Sequence, residues 1–194
     1  MKFSVGPVGH FIKMVAGKCN AQAKASPVSV GTGICLFKGA CCDVLAQTVV
    51  ERRTEIDLRR CAGFALFSGC YTGLWQNFLY NRVYSVWFGV SHTWQVGLTK
   101  SLFDAAVHSP FMYLPAAYVG SNVFCGKDAM AGIYKYCERS EFLATNLKCA
   151  SIWIPAHLIT FTLMPQHLRI PWIACVSSCW LVLLSSLAHI RDEH

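Results

Sequence analysis

Four long stretches of this chain contain no Asp, Glu, Lys or Arg, and they constrain its fold more than any other feature. They are Cys61–Asn81, Ala105–Gly126, Cys149–Leu168 and Ile170–Ile190. Each is close to the ~20 residues that an α-helix needs to cross a bilayer core. The chain is 54% hydrophobic and 14% charged, whereas soluble domains carry roughly 25% charged residues. These stretches predict an all-α integral membrane protein, with a soluble helical protein as the alternative.

The remaining segments complete a predicted bundle of four to five membrane-spanning helices. Val28–Val50 is a weaker candidate span because it contains charged side chains. Phe11–Ala25 and Gly126–Lys148 have the composition of short amphipathic surface helices. We expect residues 1–27 to form a basic N-terminal segment, at a surface or resembling a targeting sequence. Residues 28–194 then form a single membrane-embedded helical domain.

Several polar side chains fall inside the predicted spans, where ionisable groups usually face the bundle interior or a wet cavity. Asp43 and Gln47 are four residues apart and share a helix face. Lys100 and Asp104 have the same spacing, which predicts an ion pair within one helix. A proton relay or a solute-binding stripe is the functional alternative. The candidates for an intramembrane polar or ion-pair site are Lys38, Asp43, Gln47, Lys100, Asp104 and His108.

Small residues recur at every fourth position in the second predicted span. The helix-packing candidates are Ala65, Gly69 and Gly73, within a series that begins at Cys61. Small side chains let two helices approach closely where lipid provides no hydrophobic drive for association. We therefore expect this stripe to contact another helix.

The sequence contains no pattern that is typical of a catalytic, cofactor or metal site. The eleven cysteines lie mostly in apolar runs without a Cys-x-x-Cys pair, so we expect them to pack as small apolar residues. The lysines near the N-terminus are dispersed and lie outside any recognisable nucleic-acid-binding module. We expect a non-enzymatic protein without cofactor, metal or nucleic-acid partner.

A spaced set of aromatic, proline and arginine residues marks the C-terminal third of the chain. Trp153 is followed by Phe161, Pro165 and Arg169, and Trp180 lies in the next apolar run. This spacing resembles the C-terminal signature of the Mpv-seventeen family, which includes the twenty-two-kilodalton peroxisomal membrane protein. We expect Arg169 to anchor at the level of the lipid headgroups.

The resemblance extends upstream to about residue 42. Further positions that resemble blocks of the family are Asp43 to Gln47, Asp57, Arg60, Gly73, Tyr80, Lys100, Asp104 and Pro110. The resemblance implies a small helical protein with about four spans. It also implies a pore-like role in the mitochondrial inner membrane or the peroxisomal membrane.

The chain differs from the family at several polar positions, and these differences shape the expected function. His157, Thr160, Asn77 and Ala105 replace residues that the family pattern has as Gln, Asn, His and Gln. A wet pathway depends on its polar lining, whereas a scaffold depends on its packing. We therefore expect an accessory subunit of a larger mitochondrial membrane complex, with lipid and other membrane subunits as partners. A small non-selective solute channel is the alternative.

The N-terminus bears on localisation. Residues 1–42 contain five lysines and no acidic residue. An acid-free basic start is typical of proteins imported into mitochondria. We therefore expect the mitochondrial inner membrane, with the peroxisomal membrane as the alternative.

Overall fold

The computed structural model describes the backbone of residues 7–178 and the side chains of residues 14–178. Throughout this described range the regular structure is helical, without a strand, which confirms the predicted all-α class. Residues 1–6 of the basic N-terminal segment lie outside the described residues. So do Trp180 and the remainder of the last predicted span.

Three long helical rods form the centre of the structure, at residues 27–50, 58–88 and 94–124. Rod 27–50 consists of Pro27–Leu45 and a π-helical end, Ala46–Val50. Rod 58–88 contains Leu58–Phe67 and Tyr84–Phe88, joined through the π-helical segments Ser68–Gln76 and Leu79–Val83. Rod 94–124 contains Trp94–Phe103 and Leu114–Phe124 on either side of the π-helical segment Asp104–Tyr113.

Local sequence signals set the ends of rod 58–88. The Asp57 side chain accepts a hydrogen bond from the Arg60 backbone N–H at 3.0 Å, as an N-cap residue does. At the other end Gly89 has φ +85°, a conformation that glycine adopts easily. Residues 82–88 are helical, and the connection to the next rod covers only residues 89–93.

The other helices surround these rods. They are Pro7–Ala25, Ala129–Cys137, Arg139–Thr162, the 3₁₀ turn Gln166–Leu168 and a helix at 169–178. The single surface helix expected at Gly126–Lys148 is wrong, because the chain breaks at Glu138 and starts a second helix there. That second helix continues without interruption into the predicted span, and Pro155 lies inside it.

The stripe of small residues on rod 58–88 lies against rod 27–50. A Cβ atom added at Gly73 would lie 2.6 Å from the Thr32 Cα atom, and one added at Gly69 would lie 2.6 Å from the Leu36 side chain. From the facing rod, a Cβ atom at Gly39 would lie 2.9 Å from the Ala65 Cα atom. The two backbones therefore approach as closely as glycine permits.

Polar side chains are buried in this bundle while large apolar side chains are exposed. Gln47, Lys100 and Asp104 are each at most 1% exposed, whereas Phe37 is 73% exposed and Phe111 is 69% exposed. Apolar residues such as Phe161 and Ile170 are buried as well. The burial of polar side chains together with the exposure of large apolar ones suits a helical bundle surrounded by lipid. Among the described helices, Pro27–Val50 has the length and the apolar composition for crossing a membrane. The predicted number of four to five spans remains a prediction.

Candidate functional site

Asp104 lies at the centre of a buried polar cluster where two rods and a third helix meet. Its Oδ1 atom accepts a hydrogen bond from the Tyr84 hydroxyl at 3.0 Å and lies 2.9 Å from the His108 Nδ1 atom. Its Oδ2 atom lies 3.2 Å from the His157 Nε2 atom and accepts a weaker hydrogen bond from the Ser109 hydroxyl at 3.3 Å. A buried carboxylate needs this number of donors, because burial without them is very costly.

A second layer of hydrogen bonds surrounds the two histidines. The Tyr71 hydroxyl lies 3.3 Å from the His108 Nε2 atom, and the Tyr80 hydroxyl lies 3.3 Å from the His157 Nε2 atom. Gln76 donates to the Tyr80 hydroxyl at 2.7 Å. The His157 Nδ1 atom is buried and has no hydrogen-bond partner among the described residues. We call Asp104 and these contacting side chains the Asp104 cluster.

Lys100 does not pair with Asp104, so the predicted ion pair is wrong. The Lys100 Nζ atom donates to the backbone carbonyl of Gly89 at 2.7 Å and lies 5.7 Å from the centre of the Phe161 ring. The flexible lysine chain reaches the end of the neighbouring rod, while the hydroxyl and imidazole groups around Asp104 occupy its oxygen atoms. Spacing along one helix predicted a local pair, and contacts between helices replaced it.

Arg169 is also placed differently from the sequence expectation. It is 2% exposed and is therefore not an anchor at the lipid headgroups. One of its terminal nitrogens, Nη1, donates to the Asn81 side-chain oxygen at 3.0 Å and to the Tyr80 carbonyl at 3.3 Å. Its guanidinium carbon lies 5.6 Å from the centre of the Phe161 ring. The turn after Pro165 directs the new helix back into the bundle, which buries its first residue.

Asp43 and Gln47 belong to a second polar cluster, at the turn that joins rods 27–50 and 58–88. Gln47 donates to the Asp43 carboxylate at 2.7 Å, and its oxygen accepts the backbone N–H of Asp57 at 2.7 Å. The Arg60 Nε atom donates to Asp43 at 2.8 Å, and the other guanidinium nitrogens bind Glu51. We call these five residues the Arg60 clamp. It fixes the angle between the two rods.

The charges of the Arg60 clamp stabilise one another at its outer edge. The hydrogen bonds and the charge of Arg60 hold the pKa of the Glu51 carboxyl below its usual value. The same contact with Glu51, helped by Asp43, raises the pKa of the Arg60 guanidinium. Glu51 and Arg60 are therefore both charged at neutral pH.

Two cavities lie between these polar clusters. The inner cavity borders Asp104, Ser109 and His157. The volume that the centres of water molecules can occupy in it is ≈ 30 Å³. The outer cavity offers ≈ 270 Å³ and extends to the Arg60 clamp between aromatic walls. Both cavities share Lys38, Thr72 and Tyr113 as lining residues. The Lys38 Nζ atom donates to the Ser177 hydroxyl at 3.2 Å. The Lys38 ammonium group therefore lies between the two cavities.

The arrangement can hold water and small polar solutes. Among the described residues, no group of three or more His, Cys, Asp and Glu side chains could hold a metal ion. The inner cavity has room for one or two water molecules, since a water needs about 10–15 Å³ of this kind of space. Its lining provides both hydrogen-bond donors and acceptors.

Five of the six polar candidates from the sequence are buried in one of the two clusters or beside Phe161, and Lys38 lies between the cavities. Asp104 and His108 contact each other, as do Asp43 and Gln47. The contact of His157 with Asp104 was not predicted from the sequence. The available signal was its spacing, four residues from both Trp153 and Phe161, which places all three on one helix face.

Comparison with known proteins agrees with the resemblance in the sequence. Residues 138–185 match the sequence model of the Mpv17 / PMP22 family. The chain is also similar to PXMP2/4 family protein 2 from Dictyostelium discoideum, with 23% identity over 172 residues. That alignment covers 86% of this chain and 85% of the relative. No solved structure matches the chain significantly.

The family match includes the helix that carries His157 and the residues Phe161, Pro165 and Arg169. The alignment with the relative extends the similarity over most of the chain. The chain is thus similar to the Mpv17 / PMP22 family over residues 138–185 and to a PXMP2/4 family protein over most of its length.

Proposed function

We propose that the protein provides a narrow polar pathway through the membrane for water and small solutes. The observation that carries this proposal is the pair of adjoining cavities, which share Lys38, Thr72 and Tyr113 inside a bundle with an apolar exterior. Polar and charged side chains are expensive in a membrane and usually mark a solute or ion pathway. A family role in packing alone would not need cavities with charged walls.

The Asp104 cluster is the proposed constriction of this pathway. The inner cavity admits only one or two waters, and the Asp104 carboxylate, His157 and Ser109 border it. The outer cavity is roughly the size of a small organic solute. The described conformation is thus a closed one, with the wide part of the pathway on the side of the Arg60 clamp.

Flux through liposomes tests the proposal. Purified protein is reconstituted, and the release of small solutes of graded size is measured against empty liposomes. Lys38→Met and Asp104→Asn are expected to change the rate or the size limit of release. Glu138→Gln, at an exposed position outside both cavities, is the matched control. Release no faster than from empty liposomes would contradict the pathway.

The second candidate function is an accessory subunit of a larger membrane complex, as the sequence suggests. The supporting observation is an apolar surface on the helices that follow the third rod. Met130, Tyr134, Leu143 and Leu147 are 52–71% exposed there, between charged residues. In this function the pathway is absent and these residues bind another subunit. Co-migration with a defined complex, lost on changing Leu147→Asp, together with no solute flux would support it.

For localisation we propose an organelle membrane, either the mitochondrial inner membrane or the peroxisomal membrane, and a role without catalysis. The acid-free, lysine-containing N-terminal region supports the first location, and the family name supports the second. Fractionation of the tagged full-length protein against markers of both organelles decides between them.

A further inference from the structure

A basic groove lies at the end of the bundle opposite the Arg60 clamp. The groove, of ≈ 720 Å³, opens between rod 58–88, the start of rod 27–50 and the turn at residues 163–168. Lys24, Arg82 and His167 line it, together with the amide side chains of Asn77, Asn81 and Gln166. The lining residues within the described range include no acidic side chain. We call this feature the Arg82 groove.

The positive charge of the Arg82 groove follows from where the chain places its acids. Residues 1–42, 58–103 and 142–178 contain no Asp or Glu, and the groove is built entirely from these segments. The buried guanidinium of Arg169 lies directly beneath its floor, since it donates to the Asn81 side chain at 3.0 Å. Among the described residues no carboxylate neutralises this charge, so the local potential at the groove is positive.

The floor of the Arg82 groove is ordered by hydrogen bonds. Asn81 donates to the Asn77 side-chain oxygen at 2.9 Å and to the Gln166 carbonyl at 3.4 Å. The His167 Nε2 atom lies 2.9 Å from the Asn20 side-chain oxygen, which ties the first helix to the turn. Because these amides and the imidazole are held in place, the groove presents fixed polar groups to a ligand.

One side of the Arg82 groove is apolar, and this feature selects the ligand class. Leu74 and Phe78 line the groove on the same rod as Arg82 and are 46% and 51% exposed. From Leu74 to Arg82 the rod rises ~12 Å, so an apolar surface leads along the rod to a cationic end. A soluble phosphate compound has no apolar group that could contact this surface. A phospholipid has both a phosphate and apolar chains.

The depth of the Arg82 groove agrees with a lipid headgroup. Trp87 and Trp94, at the end of one rod and the start of the next, are 61% and 64% exposed. Exposed tryptophans mark the level at which hydrocarbon meets the headgroups. Clusters of basic residues at that level attract anionic lipids.

We propose that the Arg82 groove binds the headgroup of an anionic phospholipid, whose acyl chains lie along Leu74 and Phe78. Arg82 and Lys24 contact the phosphate, and the exposed side-chain amide of Gln166 donates to one of its remaining oxygen atoms. The site is separate from the cavities of the proposed pathway, so it stands whether or not solutes pass through the bundle.

Lipid retention measures this binding directly. The full-length protein is purified in detergent, stripped of lipid and mixed with phosphatidylglycerol or phosphatidylcholine micelles. Bound lipid is counted by native mass spectrometry. We expect phosphatidylglycerol to be retained in preference to phosphatidylcholine. The double change Lys24→Gln and Arg82→Gln should weaken retention by about fivefold for each charge removed.

The matched control removes two lysines that do not line the groove, with Lys127→Gln and Lys148→Gln, and should leave retention unchanged. Equal loss in both double variants, or equal retention of the two lipids by the unmodified protein, would overturn the proposal. If the groove double variant does not fold, each single change is compared with Lys127→Gln alone. Glycerol 3-phosphate at the same ionic strength should not displace the lipid. Displacement at comparable concentration would show a site for soluble phosphate compounds.

Discussion

The His157 Nε2 atom lies 3.2 Å from the Asp104 Oδ2 atom, and this contact joins the third rod to helix Arg139–Thr162 inside the bundle. Both residues are at most 2% exposed. The His157 ring also stacks on Trp153, with ring centres 5.2 Å apart. The pair is therefore held from two directions, by a polar contact and by aromatic packing.

The first prediction concerns the partner of Asp104. We expect Asp104→Asn and His157→Phe to be non-additive, with a coupling of about 0.5–3 kcal/mol in the free energy of unfolding. The phenylalanine keeps the aromatic packing, so the coupling reports the polar contact. Asp104→Asn and Lys100→Met should add within about 0.5 kcal/mol, because Lys100 binds a backbone carbonyl elsewhere. Unfolding in mixed detergent measures all five variants; strong coupling to Lys100 and none to His157 would refute the assignment.

A second prediction compares two glycines in the contact between the first two rods. Gly73→Ala should destabilise the protein by about 1–3 kcal/mol, because its Cβ atom would lie 2.6 Å from the Thr32 backbone. Gly33→Ala is the control, since no atom lies within 4 Å of a Cβ atom at that position. The control should be neutral or stabilising by up to about 1 kcal/mol, as glycine is a poor helix former. Thermal unfolding in detergent distinguishes them, and equal effects would contradict the close approach.

The third prediction is a pH dependence that arises in the Arg60 clamp. The pKa of Glu51 is lower in the folded protein than its ordinary value of 4.5. Its contribution to stability is thus complete above about pH 4.5 and is lost as the pH falls through the folded-state pKa. Because Glu51 is about one-third exposed, the contribution is at most about 1 kcal/mol.

Melting temperatures between pH 3 and pH 6 measure this contribution. In Glu51→Gln the melting temperature should fall less steeply below pH 4.5 than in the unmodified protein. Glu138→Gln is the control and should leave the profile unchanged. Identical profiles for the unmodified protein and Glu51→Gln would show that the clamp carries no net stability.

The fourth prediction concerns Phe161, whose ring lies near two buried cations. The Lys100 Nζ atom and the Arg169 guanidinium carbon lie 5.7 Å and 5.6 Å from its centre. Each contact stabilises the fold by about 0.5–2 kcal/mol when desolvated. Phe161→Leu should therefore cost about 2 kcal/mol or more, while Phe111→Leu at a position 69% exposed should cost little. A small effect at both positions would exclude a stabilising role of the ring.

Local patterns in the sequence predicted the parts of this structure that depend on one helix. The four-residue spacing of Asp43 and Gln47 predicted a shared face, and their side chains do bind each other. The same rule failed for Lys100 and Asp104. In that helix the groups from neighbouring rods, Tyr84 and the Gly89 carbonyl, are the better partners. Spacing predicts which side chains can meet, whereas the packing of helices decides which ones do.

Contacts between distant segments could not be derived from a single sequence. The contact of Arg60 with Asp43 depends on the angle of the turn between two rods, which the sequence does not provide. Arg169 was expected at the membrane surface because arginine ends an apolar run there. Its burial depends on the direction that the chain takes after Pro165, for which no local pattern provides a rule.

The π-helical segments have a consequence for the geometry of the helix contact. An α-helix turns by about 400° over four residues, so a stripe at every fourth residue drifts by about 40° at each step. Such a stripe winds away from a straight neighbour within a few turns. In a π-helix each hydrogen bond spans five residues instead of four, so each residue rotates by a smaller angle about the helix axis. The stripe of small residues is therefore rotated back toward the neighbouring helix. Segment Ser68–Gln76 therefore straightens the line of small residues. Ala65, Gly69 and Gly73 can all face rod 27–50 without either helix having to coil around the other.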